Sequence, residues 1–142
     1  MDWSEEAVLP DCTGKGRPPL KVACLPCQHW SARSFGIPDG NKALWASWSL
    51  RTDRFSYYFG GDTGYCGKMF RLIGDAIGRI DLAAIPIGAY GAPFQRWLMK
   101  PQHMDPEEAA QCHQDIRAVN SIGIHWGTSV ENSSNQESAR GH

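Results

Sequence analysis

The sequence predicts a mixed α/β domain, strand-rich in its first half and alternating strand with helix in its second. Three observations point there. The runs LKVACLP, LWASWSL and RFSYYFG are short, apolar and β-favouring. Between residues 67 and 78, apolar side chains recur at three- and four-residue steps, as one face of a helix requires. The run DLAAIPIG that follows is almost wholly apolar, as in a strand buried on both faces.

Taken in order, residues 1–19 read as an irregular segment marked by Gly14, Gly16, Pro18 and Pro19. Residues 20–26 read as a strand and 31–43 as a turn-rich connection. Residues 44–50 and 54–60 pair as a hairpin across Thr52 and Asp53. Phe55, Tyr57 and Phe59 then share one face of the second strand. In the helix of 67–78 the apolar stripe is Met69, Leu72, Ile73, Ala76 and Ile77, with Gly78 as its stop. The strand 81–88 carries Pro86 near its end, since proline cannot donate to a ladder. After the loop GAYGAPFQRWLMKPQHM, a second helix opens on Asp105, Pro106, Glu107 and Glu108. These are a cap residue, a proline at the first helical position and an acid three residues past the cap. Ala109, Cys112, His113 and Ile116 form its stripe, and His113 reads as structural. Residues 121–126 are the last strand. The polar tail from about 129 to 142, which holds His142, is expected to be disordered. The ordered unit is one domain, residues 20–128.

Composition narrows the function. With 142 residues the chain is the size of one domain, and its formal net charge is -1. Lys and Arg are scattered with no basic run, so nothing favours nucleic acid. No segment approaches the ~18 apolar residues of a membrane span. The acidic N-terminus, MDWSEEAVLPD, lacks the order of a signal peptide, so a cytoplasmic chain is expected. The five cysteines are odd in number and irregularly spaced, against a disulfide framework. Cys24 and Cys27 form a C-x-x-C with no second pair, and the cysteines read as small buried hydrophobes.

Three residues stand where chemistry collects. His29 follows the strand 20–26, Asp62 follows 54–60, and His125 closes the last strand. Carboxyl ends of strands in an α/β sheet gather at one edge, where ligand sites form. Imidazole and carboxylate together suit zinc or a similar divalent ion. Each also has an ordinary alternative: a histidine satisfied in the core, or an aspartate serving a turn before Thr-Gly. GGDTGYCGK is not a phosphate-binding P-loop. Asp62 takes the place of its first glycine, and Met69 that of the hydroxyl residue that holds magnesium.

Six blocks in order, QHWSAR, LWASW, GGDTGY, DLAAIPIGAY, MKPQHMDPEEA and IHWGT, resemble the C-terminal half of the N-acylphosphatidylethanolamine-hydrolysing phospholipases D. These form a branch of the metallo-β-lactamase fold superfamily. The resemblance runs from about Leu20 to Thr128 and implies part of an αββα sandwich with its N-terminal half missing. It implies a two-zinc site, in which His29 serves one metal, His125 the other, and Asp62 bridges both as the central catalytic residue. His103 matches a histidine at the mouth of the site that places the phosphodiester. The implied reaction is hydrolysis of an N-acyl phospholipid to an N-acylethanolamine and phosphatidic acid, by an in-line attack on phosphorus.

Two departures accompany the match. The family's first ligand block, His-x-His-x-Asp-His, supplies four of seven metal ligands, and this sequence has no His-x-His. Two protein ligands per zinc fall below the three usual in a catalytic site, so the chain alone is expected to be inactive. An incomplete sandwich would also expose a sheet edge and an apolar face, which a homodimer would cover. Second, the loop GAYGAPFQRWLMK is longer than in the family. Its Phe94 and Trp97, mixed with Arg96 and Lys100, suit peripheral contact with an intracellular membrane or packing on the second helix.

Overall fold

A computed structural model describes residues 1–11, 13–31 and 40–127. Most of the expected connection 31–43 and the expected tail lie outside the described residues. One six-stranded sheet runs through the molecule in sequence order. Its strands are β1 (Glu6–Leu9), β2 (Leu20–Leu25), β3 (Ser47–Arg51), β4 (Ser56–Phe59), β5 (Leu82–Pro86) and β6 (Ser121–Ile124). The first four form an antiparallel meander, and β4, β5 and β6 are parallel. Helix α1 (Gly67–Ile77) carries the chain from β4 to β5. Helices α2 (Arg96–Met99) and α3 (Pro106–Asp115) lie between β5 and β6. Parallel neighbours need such crossovers, whereas the meander closes with short turns.

Register fixes which residues face the helices. Ala23 pairs with Ser49, Ser49 with Tyr58, and Tyr58 with Ala83. These positions, with Leu25 and Ile85, point to α1 and α3. There Phe70, Ile73, Ala109, Cys112 and Ile116 complete a buried core with Met104. The other face, one residue out of phase, carries Trp48, Leu50, Tyr57 and Leu82 part-exposed, and Phe59 and Ile122 exposed.

Several expectations need correcting. The segment 1–19 is not wholly irregular: Glu6–Leu9 pairs antiparallel with β2, a tertiary pairing that a four-residue run does not announce. Residues 44–46 lie before β3 rather than within it. The middle of the loop after β5 holds the short α2. The buried side of α1 is Phe70, Ile73 and Gly74, while Leu72 is exposed, so the stripe is rotated from the sequence reading. In the hairpin, Tyr57 and Phe59 do share one face with Phe55, as the alternation requires, and that face is the less buried one; Tyr58 on the opposite face is buried.

Other details match. The α3 cap is a capping box: Glu108 N–H donates to Asp105 Oδ1 (2.8 Å) and Asp105 N–H to Glu108 Oε2 (3.3 Å). β5 ends on Pro86, and α1 ends at Gly78. Cys24, Cys27 and Cys112 are buried free thiols, and burial pushes the Cys27 pKa up to about 12.

Candidate functional site

Because β3 runs against both its neighbours, β2 and β4 point the same way, and β5 and β6 follow β4. Their carboxyl ends therefore share one edge of the sheet, and there the sequence-picked residues meet. His29 lies beyond β2, Asp62 beyond β4 and His125 beyond β6. His103 comes from the loop between α2 and α3. The His103 ring stacks on His125 with centroids 5.4 Å apart, and meets His29 edge-on at 5.3 Å. His125 Nε2 lies 3.3 Å from Asp62 Oδ1. Four side chains from four separate loops thus form one cluster.

Close backbone approach makes this crowding feasible. A Cβ on Gly64 would sit 2.6 Å from Lys100 O, so only glycine lets the Asp62 loop touch the chain leading to His103. Gly88 is packed against the His125 carbonyl in the same way.

Hydrogen bonds lock the loops together. Thr63 is buried; its hydroxyl accepts from Gln28 N–H (2.8 Å) and donates to Gly64 O (2.9 Å). Gly64 N–H donates to Gln28 O at 2.8 Å. The Gln28 side chain donates to Pro101 O (2.9 Å), and Trp30 Nε1 to Gln102 Oε1 (2.5 Å). The loop carrying His29 is therefore bonded both to the loop carrying Asp62 and to the one carrying His103. Sequence reasoning missed Thr63 and Gln28, although each adjoins a residue it had picked.

The imidazoles are poised rather than satisfied. His29 Nδ1–H donates to Trp30 O (2.8 Å), which leaves Nε2 as the lone-pair nitrogen. That Nε2 is buried without a hydrogen-bond partner, as are Nδ1 of His103 and Nδ1 of His125. Burial first, then the His29 imidazole, lower the His103 pKa; Asp62 pulls it the other way, and His125 and Arg96 lower it further. These surroundings favour the neutral form of His103.

Arg96 supports His103 from behind. It donates to His103 O (3.2 Å) and Asp105 (3.1 Å), and is paired with Glu108. The lipid-boundary reading had grouped Arg96 with Lys100 as a membrane cation; the guanidinium is instead committed to these partners. Phe94, Trp97 and Leu98 stand exposed in the same loop, the first two each 76% exposed. His113 sits at the margin of the α3 core with Nδ1 2.7 Å from Ser121 Oγ, away from the cluster.

Orphaned imidazole nitrogens beside a carboxylate are the donor types a divalent metal takes. Yet among the described residues no group of three or more His, Cys, Asp or Glu side chains is placed to hold one ion. The cluster is a partial donor set, and it does not by itself fit a complete metal site.

A mixed sheet with helices on one face, and imidazoles and a carboxylate gathered at its strand ends, is the arrangement of a metal-dependent hydrolase fold. The chain belongs to the β-lactamase superfamily domain family, whose model matches residues 1–126. What is described is therefore part of a metallo-β-lactamase fold. The chain is 44% identical over 128 residues to N-acyl-phosphatidylethanolamine-hydrolyzing phospholipase D 1 of Caenorhabditis elegans, covering 90% of this chain and 33% of that protein. It is 40% identical over 110 residues to the outer membrane protein RomA of Klebsiella pneumoniae, covering 78% of this chain and 76% of that one. In structure it is similar to CmlA, a diiron beta-hydroxylase of Streptomyces venezuelae. There the TM-score is 0.51 at 14% identity, over 87% of this chain and 24% of that one, a likeness of fold alone. The chain spans about a third of the length of the first curated relatives it matches.

Proposed function

We propose that this chain carries one side of the active site of a zinc-dependent phosphodiesterase that hydrolyses N-acylphosphatidylethanolamine to an N-acylethanolamine and phosphatidic acid. The observation that carries the reading is the meeting of His29, Asp62, His103 and His125 from four separate loops. In this reading His29, Asp62 and His125 would contribute to holding zinc, which would supply Lewis-acid activation of the phosphodiester and of the attacking water. The remaining donors are not among these residues, so the 142-residue chain is inactive by itself. Neutral His103 places the substrate: a ring whose surroundings favour its uncharged form can donate a hydrogen bond to a phosphoryl oxygen without carrying a proton away at neutral pH. The 44% identity to the C. elegans enzyme supports the substrate class.

The test is an assay of phosphatidate release from N-acylphosphatidylethanolamine in mixed micelles. It uses the product of the longest reading frame that contains these residues. Asp62→Asn should lower kcat/KM by about 10²-fold or more, and His103→Ala by about 10²–10⁴-fold. Release that persists in Asp62→Asn, or no release by the parent protein, would refute the reading.

The exposed Phe94 and Trp97 support peripheral contact of the whole protein with a membrane surface, beside the mouth residue His103. No helix among the described residues is long and apolar enough to cross a bilayer. Replacing Phe94 and Trp97 together by Ser should weaken co-sedimentation with phosphatidylethanolamine-containing liposomes about tenfold, from the lost apolar area. Unchanged co-sedimentation would dispose of the contact.

A further inference from the structure

At the opposite end of the sheet, a row of polar residues crosses three strands. Lys21 faces Arg51 across β2 and β3, and Arg51 faces Ser56 across β3 and β4. All three share the helix-covered face by the two-residue alternation. Like charges directly opposed in an antiparallel pair repel. One carboxylate, Glu6, is bonded to Arg51, and Lys21 has no ion-pair partner among the described residues. Arg51 Nε and Ser56 Oγ are both buried without a hydrogen-bond partner, and Ser56 is only 9% exposed. Native proteins seldom leave such atoms unpaired. Three of the other orphaned side-chain atoms are the imidazole nitrogens of the site already described.

The row lines a cleft of ≈ 630 Å³, the size of a small-ligand site. Arg54 and Arg79 add two cations to its rim. Two carboxylates also face it. Asp81 is committed, accepting from Ser56 N–H (2.9 Å) and Arg79 Nε (2.9 Å), and Asp53 stands 3.8 Å from Arg54 Nε at the surface. The exposed Phe55, with Ile77 and Pro19, supplies an apolar wall.

We propose that this cleft binds a small organic anion, a phosphate or carboxylate on a flat apolar body. Arg51 and Ser56 are its inner donors. Arg51 Nη2 is held by Glu6, so its unpartnered Nε–H serves the head group, the Ser56 hydroxyl adds a further donor, and Phe55 lies against the apolar body. The anion relieves the Lys21–Arg51 repulsion and satisfies the orphaned donors together. None of this depends on the phosphodiesterase reading.

The experiment titrates the ¹⁵N-labelled 142-residue chain with phenyl phosphate, benzoate and benzyl alcohol at constant ionic strength. One anion or both should shift the backbone amides of Phe55, Ser56 and Arg79 saturably, and which of them does so identifies the head group. Benzyl alcohol should not saturate. Arg51→Gln should weaken binding about tenfold or more, the effect of losing a charged hydrogen bond. Arg54→Gln, whose parent side chain is 89% exposed, should retain the fold and weaken binding severalfold; it decides the matter if Arg51→Gln does not fold. The proposal is overturned if neither anion saturates at these amides, if benzyl alcohol does so equally, or if a folded Arg variant binds like the parent. Shifts confined to the His29–His125 edge overturn it too.

Discussion

On the helix-covered face of the sheet, Ala23, Tyr58, Ala83 and Ile85 lie against Phe70, Ile73 and Ile116 and are buried. One pleat away, Leu50, Tyr57 and Leu82 stay part-exposed, and Phe59 and Ile122 are open to solvent. The same strands build both faces, so strand propensity does not separate them. What differs is the partner. The crossovers that parallel β4, β5 and β6 require bring α1 and α3 onto one side and complete a core there. The opposite face is as apolar as a sheet that packs in a sandwich, and apart from Cys24, Ala84 and Pro86, which are buried, it is open or half-open in this chain. The clustered histidines and Asp62 sit at the edge between the two, held by the covered half and by bonds between loops.

The comparison can be broken by substitution, and the largest effect belongs to the covered face. Phe70→Ala, at a fully buried position, should destabilise by about 3–5 kcal/mol in urea unfolding, with the denaturant slope unchanged. A loss below about 1 kcal/mol would mean that this face is not the core. Next comes the loop network. Thr63→Val keeps the shape and removes a hydroxyl that serves two backbone groups, so it should cost about 1–3 kcal/mol, with most of that recovered in Thr63→Ser. Equal losses in both variants would show that packing, and not the hydrogen bonds, holds the loops. The smallest effect falls on the open face: Ile122→Ser should change stability by no more than about 0.5 kcal/mol. A cost comparable to that of Phe70→Ala would show that the face is buried in solution.

Much of this was legible in the sequence, for identifiable reasons. The α3 start was readable because Asp105, Pro106 and Glu108 act locally, each within one turn of the helix. The three strand-end ligand candidates were readable because a common strand direction carries them to one edge. Burial on α1 was misassigned because Phe70 and Gly74 are buried by α3 and the sheet, which lie far along the chain. β1 escaped because its four residues owe their conformation to the ladder with β2. The Thr63–Gln28 clamp was invisible for a similar reason: it joins residues 35 apart, and neither belongs to a motif that announces pairing. The cleft row of Lys21, Arg51 and Ser56 exists only once the register of three strands is fixed.

The central claim is that His29, His103 and His125 form one cluster with Asp62 and present an incomplete set of metal donors. Zinc titration of the 142-residue chain, followed through the histidine ring resonances by NMR, tests it most directly. The account predicts that the His29, His103 and His125 rings shift together as zinc is added, in fast exchange and without tight binding, while His113 does not move. Rings that respond independently of one another, or two zinc ions bound stoichiometrically, would contradict it.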